Sequence, residues 1–126
     1  MSHDTPHVIV EQRGHILHVA LNRPDKKNAL THAMYTALAD ALARVESEPG
    51  LRLTFITGTA DCFTSGNDMM DFMQNPPTGA DSPVSRFLEG LRGATKPIVA
   101  AVNGPAVGVG TTLLLHCDLA YAGRGA

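Results

Sequence analysis

The chain has 126 residues, of which 44% are hydrophobic and 17% are charged, and its formal net charge is −2. This length suits one ordinary domain, and the composition is that of a globular protein rather than a disordered one. A slightly acidic chain lacks the basic surface that nucleic acid or an anionic membrane attracts, so we predict neither as a partner.

The cysteines and the N-terminal residues bear on the cellular compartment. Cys62 and Cys117 match no metal-binding or redox spacing, as expected in a reducing compartment, and Cys62 is predicted to be a small buried residue. The N-terminal stretch MSHDTPHVIVEQRG carries acids and lacks the apolar run of a signal peptide. No apolar segment is long enough to span a bilayer. We therefore predict a cytoplasmic protein.

The first part of the chain predicts two strands and a helix. Val8–Val10 and Ile16–Leu21 are predicted strands, and Pro24 interrupts the pattern because proline cannot continue a central ladder. Thr31 is a candidate cap for a helix that ends before Pro49-Gly50. Apolar residues follow Thr31 at helical spacing: Met34, Leu38, Ala41, Leu42 and Val45.

The middle of the chain predicts a strand, a loop and two helices. Leu51–Thr57 is an apolar run that predicts a strand buried on both faces. Asp68 stands where a short helix, DMMDFM, begins. The stretch Asn75–Pro83 has the composition of a mobile loop, and VSRFLEGLRG after it has the pattern of an amphipathic helix.

The chain is organised around Lys96–Thr112. An apolar strand, Ile98–Val102, ends at Asn103-Gly104-Pro105, and a glycine-containing helix start follows. Free N–H groups at such a junction stabilise developing negative charge. A purely structural turn would also use glycine, so this stretch alone leaves both interpretations open.

The alternation of strands and helices predicts an α/β fold with mostly parallel pairing. The last predicted strand, Asp118–Ala122, is followed at once by Gly-Arg-Gly-Ala. Because a parallel sheet needs cover on both faces, we expect this chain to be part of a larger unit.

Two strand-to-helix turns have the same character, FTSGND at 63–68 and NGPAVGVG at 103–110. If the turns converge, one backbone N–H from each could bind a single carbonyl oxygen. Such an oxyanion hole supplies about 2.7–4 kcal/mol of transition-state stabilisation per donor in other enzymes.

Side chains able to move a proton are few. Asp68 is expected to be a helix cap rather than a base, and His116 to be a helix-end residue rather than a base. The other histidines show no ligand spacing, so no metal site is expected. Lys26 and Lys27 are expected in solvent, although a phosphate-bearing ligand could use one of them.

An apolar cluster follows Asp68. Met69, Met70, Phe72 and Met73 are expected in the core, with the lining of an acyl pocket as the alternative.

Short motifs are spaced along nearly the whole chain. They are Asn22-Arg23-Pro24 with Asn28-Ala29-Leu30, then FTSGND, then KPIVAAVNG from Lys96, and finally Cys117-Asp118. In this order they resemble the crotonase superfamily, the enoyl-CoA hydratase/isomerase family.

The resemblance implies a crotonase-like (ClpP/crotonase) α/β spiral of ββα units. Residues 1–126 would be the N-terminal part of a single domain that binds an acyl-CoA thioester and stabilises an enolate-like intermediate. Family members are usually homotrimers, sometimes dimers of trimers. No cofactor is implied, because coenzyme A is part of the substrate.

The resemblance also implies site residues. The oxyanion-hole N–H groups would belong to Asn67 and Val109. The residues implied to contact substrate or coenzyme A are Lys27, Ala29, Leu30, Ser65, Gly66, Asp68, Met69, Gly108 and Thr112.

One departure separates this chain from the family's hydratases, which carry glutamate at the position of Thr112. Threonine cannot activate water near neutral pH, so the resemblance favours Δ3,Δ2-enoyl-CoA isomerases, in which a single carboxylate moves a proton between C2 and C4. That carboxylate lies further along the family sequence than Ala126, and the chain covers about the first half of a family member.

Two alternatives stay open. One is hydration or another crotonase reaction, such as hydrolysis or decarboxylation, with a base elsewhere. The other is a non-catalytic module that binds coenzyme A, since no general base is placed within the chain. The acyl group and the exact reaction are left open.

Overall fold

The computed structural model describes residues 7–58, 62–74 and 82–102, together with the backbone of 119–122. Five strands form one sheet in chain order, β1 to β5. They are β1 (Val8–Arg13), β2 (Ile16–Leu21), β3 (Leu53–Thr57), β4 (Ile98–Val102) and β5 (Leu119–Ala122). β1 pairs antiparallel with β2, and every later neighbour pairs in parallel. The predicted α/β fold with mostly parallel pairing is confirmed.

Among the described residues, three α-helices accompany the sheet: α1 (His32–Ser47), α2 (Met69–Gln74) and α3 (Pro83–Gly93). A single 3-10 turn, Pro24–Lys26, precedes α1. Within the part of the chain that the structure describes, no helix has the length and apolar character needed to cross a membrane.

The first hairpin is longer than the apolar pattern predicts. β1 continues to Arg13, which pairs with Ile16 across a turn containing Gly14 at φ +61°. The polar end of β1 is exposed, so backbone pairing rather than side-chain burial extends the strand. In β2 the predicted alternation holds, and Leu17 and Val19 are fully buried.

The predicted cap of α1 is confirmed, because the Thr31 side chain accepts a hydrogen bond from the Met34 N–H at 3.2 Å. The buried face of α1 packs against α3, where a Cβ added to Gly90 would lie 3.1 Å from Leu42 Cδ1.

α3 begins at Pro83, which the sequence pattern assigns to the loop. Ser82 caps this helix, and proline is favoured in a first turn because its missing N–H has no helical partner. The rest of the predicted loop, residues 75–81, lies outside the described residues.

β3 corrects the prediction of a strand buried on both faces. Thr54 and Ile56 are buried, whereas Leu53, Phe55 and Thr57, which alternate with them, are only half-buried. Leu51 is fully buried but lies outside the strand, since its N–H donates to the Glu48 carbonyl at 3.0 Å and continues the turn after α1. The apolar run therefore combines one core residue of a turn with a strand that is buried on one face.

Lys96 closes the C-terminal end of α1. Its Nζ donates hydrogen bonds to the carbonyls of Val45 (2.6 Å), Glu48 (3.1 Å) and Leu51 (2.7 Å). The last carbonyls of a helix lack helical partners and carry partial negative charge, so an ammonium group is favoured there.

Replacing Lys96 with methionine should keep the packing of the stem and remove all three hydrogen bonds. We expect the free energy of unfolding to fall by about 2 kcal/mol, a value typical of the loss of hydrogen bonds to a charged group. Urea unfolding followed by circular dichroism measures this, with the exposed Lys26→Met as the matched control, expected within about 0.5 kcal/mol of wild type. Equal midpoints for Lys96→Met and wild type would contradict this role.

Candidate functional site

Asn28 joins two segments that lie far apart in sequence. It is fully buried with φ +57°, a left-handed conformation that asparagine tolerates better than most residues. Its Oδ1 accepts from the Arg23 N–H at 2.7 Å, and its Nδ2 donates to the carbonyls of Cys62 (2.8 Å) and Phe63 (3.2 Å). The loop before α1 is thereby held against the loop before α2.

A parallel bridge between Leu30 and Asn67 sets the direction of one backbone N–H group. The Leu30 N–H donates to the Gly66 carbonyl and the Asp68 N–H donates to the Leu30 carbonyl, both at 2.8 Å. In this pairing the N–H of the residue opposite, Asn67, is directed away from Leu30. No acceptor among the described residues is bonded to that N–H. Gly66, at φ +96°, permits the bend that presents it.

Asp68 is held by two donors. Its Oδ1 accepts from the Asp71 N–H at 2.9 Å, which caps α2, and its Oδ2 accepts from Arg23 Nη1 at 2.7 Å. Arg23 Nη1 also donates to the Ala29 carbonyl at 3.0 Å. The hydrogen bonds from the Asp71 N–H and from Arg23 lower the pKa of Asp68. Its predicted role as a cap is confirmed. A carboxylate that accepts two hydrogen bonds and has a lowered pKa is a weak base.

Asp71 ties α2 to the start of α1. Its Oδ2 accepts from the His32 N–H at 2.8 Å and lies 2.5 Å from His32 Nδ1. Burial alone would raise the pKa of Asp71, but the hydrogen bonds from His32 outweigh it and the pKa is lowered. The His32 ring also packs against Phe72, with centroids 4.9 Å apart.

These groups border a surface groove of about 470 Å³, within the size range of small-molecule sites. Its lining residues are Arg23, Lys26, Ala29, Thr31, Asn67, Asp68, Met69, Met70, Asp71 and Gln74. The groove therefore combines cationic side chains, two carboxylates that already accept hydrogen bonds, the apolar side chains of Met69 and Met70, and Asn67, whose N–H is directed away from Leu30.

The sequence-predicted site residues fall into three sets. Those that line the groove are Ala29, Asn67, Asp68 and Met69. Those that build its backbone framework are Lys27, Leu30, Ser65 and Gly66; Leu30 is buried in the core, and the Ser65 N–H donates to the Lys27 carbonyl at 2.9 Å. Those that lie outside the described residues are Gly108, Val109 and Thr112.

The predicted burial of the methionines is wrong. Met69, Met70 and Met73 are 69%, 70% and 77% exposed, and only Phe72 of that cluster packs against the core. Of the six residues of α2, Asp71 and Phe72 are the partly buried ones, and the methionines lie on the exposed side. The alternative, a wall of a ligand pocket, agrees with the placement of Met69 and Met70 in the groove. Cys62, in contrast, is buried as predicted.

Tyr35 is a site residue that the sequence pattern does not single out, because it occupies an ordinary buried position of α1. It is fully buried, and its hydroxyl donates to Asn67 Oδ1. Burial raises the pKa of Tyr35, so the hydroxyl stays protonated near neutral pH. Its ring lies 5.6 Å from that of Phe87 and 6.3 Å from that of Phe72.

Residues 7–58, 62–74 and 82–102 contain no group of three or more side chains arranged as metal ligands.

Comparison with known proteins identifies the family. The sequence profile described as Enoyl-CoA hydratase/isomerase matches residues 11–126. Enoyl-CoA hydratase EchA19 of Mycobacterium tuberculosis is 38% identical over 96% of this chain and 48% of its own length. Human enoyl-CoA delta isomerase 2 is 35% identical over 91% of this chain and 31% of its own length.

Solved structures share the fold. Pseudomonas aeruginosa OdaA superimposes with a TM-score of 0.92 at 52% identity, covering 97% of this chain and 49% of that one. An enoyl-CoA hydratase/isomerase from Pseudoalteromonas atlantica gives a TM-score of 0.90 at 42% identity. The chain thus spans half or less of the length of these relatives. Over the part that it covers, its fold is the crotonase fold. The matched profile, the relatives and the shared fold together place this chain in the enoyl-CoA hydratase/isomerase family.

Proposed function

We propose that the protein acts on acyl-CoA thioesters and moves the double bond of a 3-enoyl-CoA to the 2-position. The observation that carries this proposal is the N–H of Asn67, a residue of the groove lining, which is directed away from Leu30 and has no bonded acceptor among the described residues, so that a thioester oxygen could accept a hydrogen bond from it. The second donor would be the N–H of Val109, the position at which family members place it. The CoA part of the substrate would lie along the groove, with Lys26 and Lys27 available to its phosphates.

The proposed reaction consists of two proton transfers. A base removes a proton from C2, and the electron pair of that C–H bond delocalises onto the thioester oxygen to form a dienolate. The same group then returns a proton to C4, and the double bond comes to rest between C2 and C3. The two N–H groups stabilise the negative oxygen of the intermediate, where preorganised donors have their largest effect.

The base is proposed to come from the part of the family sequence that follows the stretch matched here. The carboxylates of Asp68 and Asp71 line the groove, but each is ionised and held by the donors described above. Thr112 supports isomerisation over hydration, because a threonine hydroxyl cannot activate water near neutral pH.

Turnover of the full-length protein on trans-3-hexenoyl-CoA and on trans-2-hexenoyl-CoA tests the proposal. Chromatography of the products should show conversion of the 3-enoyl to the 2-enoyl thioester, and little 3-hydroxyacyl-CoA. Faster formation of 3-hydroxyacyl-CoA would instead identify a hydratase, as the similarity to EchA19 would suggest. Binding without turnover of either compound would identify a non-catalytic module.

The family resemblance also supports a homotrimer or a dimer of trimers, with coenzyme A entering as part of the substrate rather than as a cofactor. The cysteine usage and the composition of the N-terminal residues support a cytoplasmic location. Mass photometry of the full-length protein would test the assembly.

A further inference from the structure

We propose that Tyr35 is a positioning residue for the oxyanion hole, acting through the side chain of Asn67. This inference rests on the proposed function for its catalytic consequence, but the contact itself is a feature of the described residues. Tyr35 lies on α1, whereas Asn67 is the exposed residue of the mostly buried loop 62–68 that leads into α2. The hydrogen bond from the Tyr35 hydroxyl to Asn67 Oδ1 thus connects a core helix to the residue that carries the proposed donor.

The side-chain bond adds a restraint to those of the backbone. The Asn67 N–H shares a planar peptide with the Gly66 carbonyl, so the hydrogen bond from the Leu30 N–H to that carbonyl sets the direction of the Asn67 N–H. Neither backbone bond of the bridge involves the side chain of residue 67, and Gly66 before it is conformationally permissive. The bond from Tyr35 to Asn67 Oδ1 ties the residue to α1 and so limits movement of this peptide relative to the core.

Tyr35 is a rigid anchor for this restraint. Its side chain is fully buried, and its ring packs between Phe72 of α2 and Phe87 of α3. A buried tyrosine hydroxyl requires a polar partner, and here the partner is an exposed asparagine that water could otherwise solvate. An interaction that orders a surface residue from the core fits a role in preorganisation.

Tyr35→Phe in the full-length protein removes the hydroxyl alone. We expect kcat for trans-3-hexenoyl-CoA to fall about fivefold, equivalent to about 1 kcal/mol, with KM nearly unchanged. Thr36→Val is the matched control, because it removes a hydroxyl from the next position of α1 whose acceptor is the His32 carbonyl. The thermal midpoint of Tyr35→Phe should shift no more than that of Thr36→Val.

A double-mutant cycle separates positioning from core packing. In the Asn67→Ala background Tyr35→Phe should have no further effect on kcat, because the acceptor is already gone. The same fivefold loss in both backgrounds would overturn the proposal.

A nitrogen-15 NMR spectrum tests the contact without any turnover. Tyr35→Phe should move the amide resonance of Asn67 and lower its heteronuclear nuclear Overhauser effect, because residue 67 becomes more mobile, while Thr36→Val should leave both unchanged. An unchanged Asn67 amide in Tyr35→Phe would overturn the positioning role even if the protein is an isomerase. A changed amide in a protein without turnover would support the positioning role and overturn only the proposed function.

Discussion

Asn67→Pro should lower kcat of the full-length protein on trans-3-hexenoyl-CoA by about a hundredfold to a thousandfold, the usual effect of losing one oxyanion-hole donor. Proline removes the N–H of residue 67, and none of the described residues accepts a hydrogen bond from that group. The loss should therefore fall on the transition state rather than on folding. Steady-state kinetics measures it, and circular dichroism verifies the fold.

Asn67→Ala is the matched control, because it removes the side chain and keeps the N–H. We expect it to lose about fivefold in kcat, as Tyr35→Phe does, since both remove the same side-chain hydrogen bond. Equal activities of Asn67→Pro and Asn67→Ala in folded proteins would show that the N–H takes no part in the reaction.

Asn28→Ala should have the largest effect on stability, lowering the free energy of unfolding by about 3–5 kcal/mol. The half-buried Arg23 N–H and the carbonyls of Cys62 and Phe63 would each lose the hydrogen bond that the Asn28 side chain makes, at about 1–3 kcal/mol for each group left unsatisfied. Alanine at φ +57° adds about 1 kcal/mol of backbone strain. Urea unfolding measures the change, and acyl-CoA affinity should fall with it because the groove loses its framework.

Asn28→Gly separates the two contributions. Glycine relieves the strain but makes no side-chain hydrogen bonds, so we expect it to recover about 1 kcal/mol relative to Asn28→Ala. Asp25→Asn, an exposed change in the same loop, should lie within about 0.5 kcal/mol of wild type. A value for Asn28→Ala within that same range would contradict the account of the two joined loops.

The fold was predictable wherever one periodic pattern covered a whole element. The alternation in β2 and the helical spacing after Thr31 both predicted their elements, because each element buries one continuous face. The pattern failed at Leu51 and Pro83, where a turn buries an apolar residue and where proline starts a helix. The composition around Leu51 resembles that of a strand, and the composition around Pro83 resembles that of a loop. Only the backbone hydrogen bonds show that one is a turn and the other a helix start.

The motifs predicted which residues lie together, and their roles stay predictions. The resemblance pointed to Asn67, Asp68 and Met69, and these residues line the groove. The partners that fix them were not predictable, since Arg23 meets Asp68 and Tyr35 meets Asn67 across long stretches of sequence. Nor did the pattern of α2 predict exposed methionines, because a helix of six residues is too short for its apolar residues to define one face.

Isotope-edited infrared spectroscopy of bound butyryl-CoA, labelled at the carbonyl carbon, tests the central claim most directly. This saturated thioester cannot isomerise, so its carbonyl reports hydrogen bonding alone. In the full-length wild type and in Asn67→Ala we expect the bound carbonyl stretch to lie at lower frequency than in water, and in Asn67→Pro to return toward the value in water. A bound carbonyl with the same frequency in wild type and Asn67→Pro would contradict the proposal that the Asn67 N–H binds the thioester oxygen.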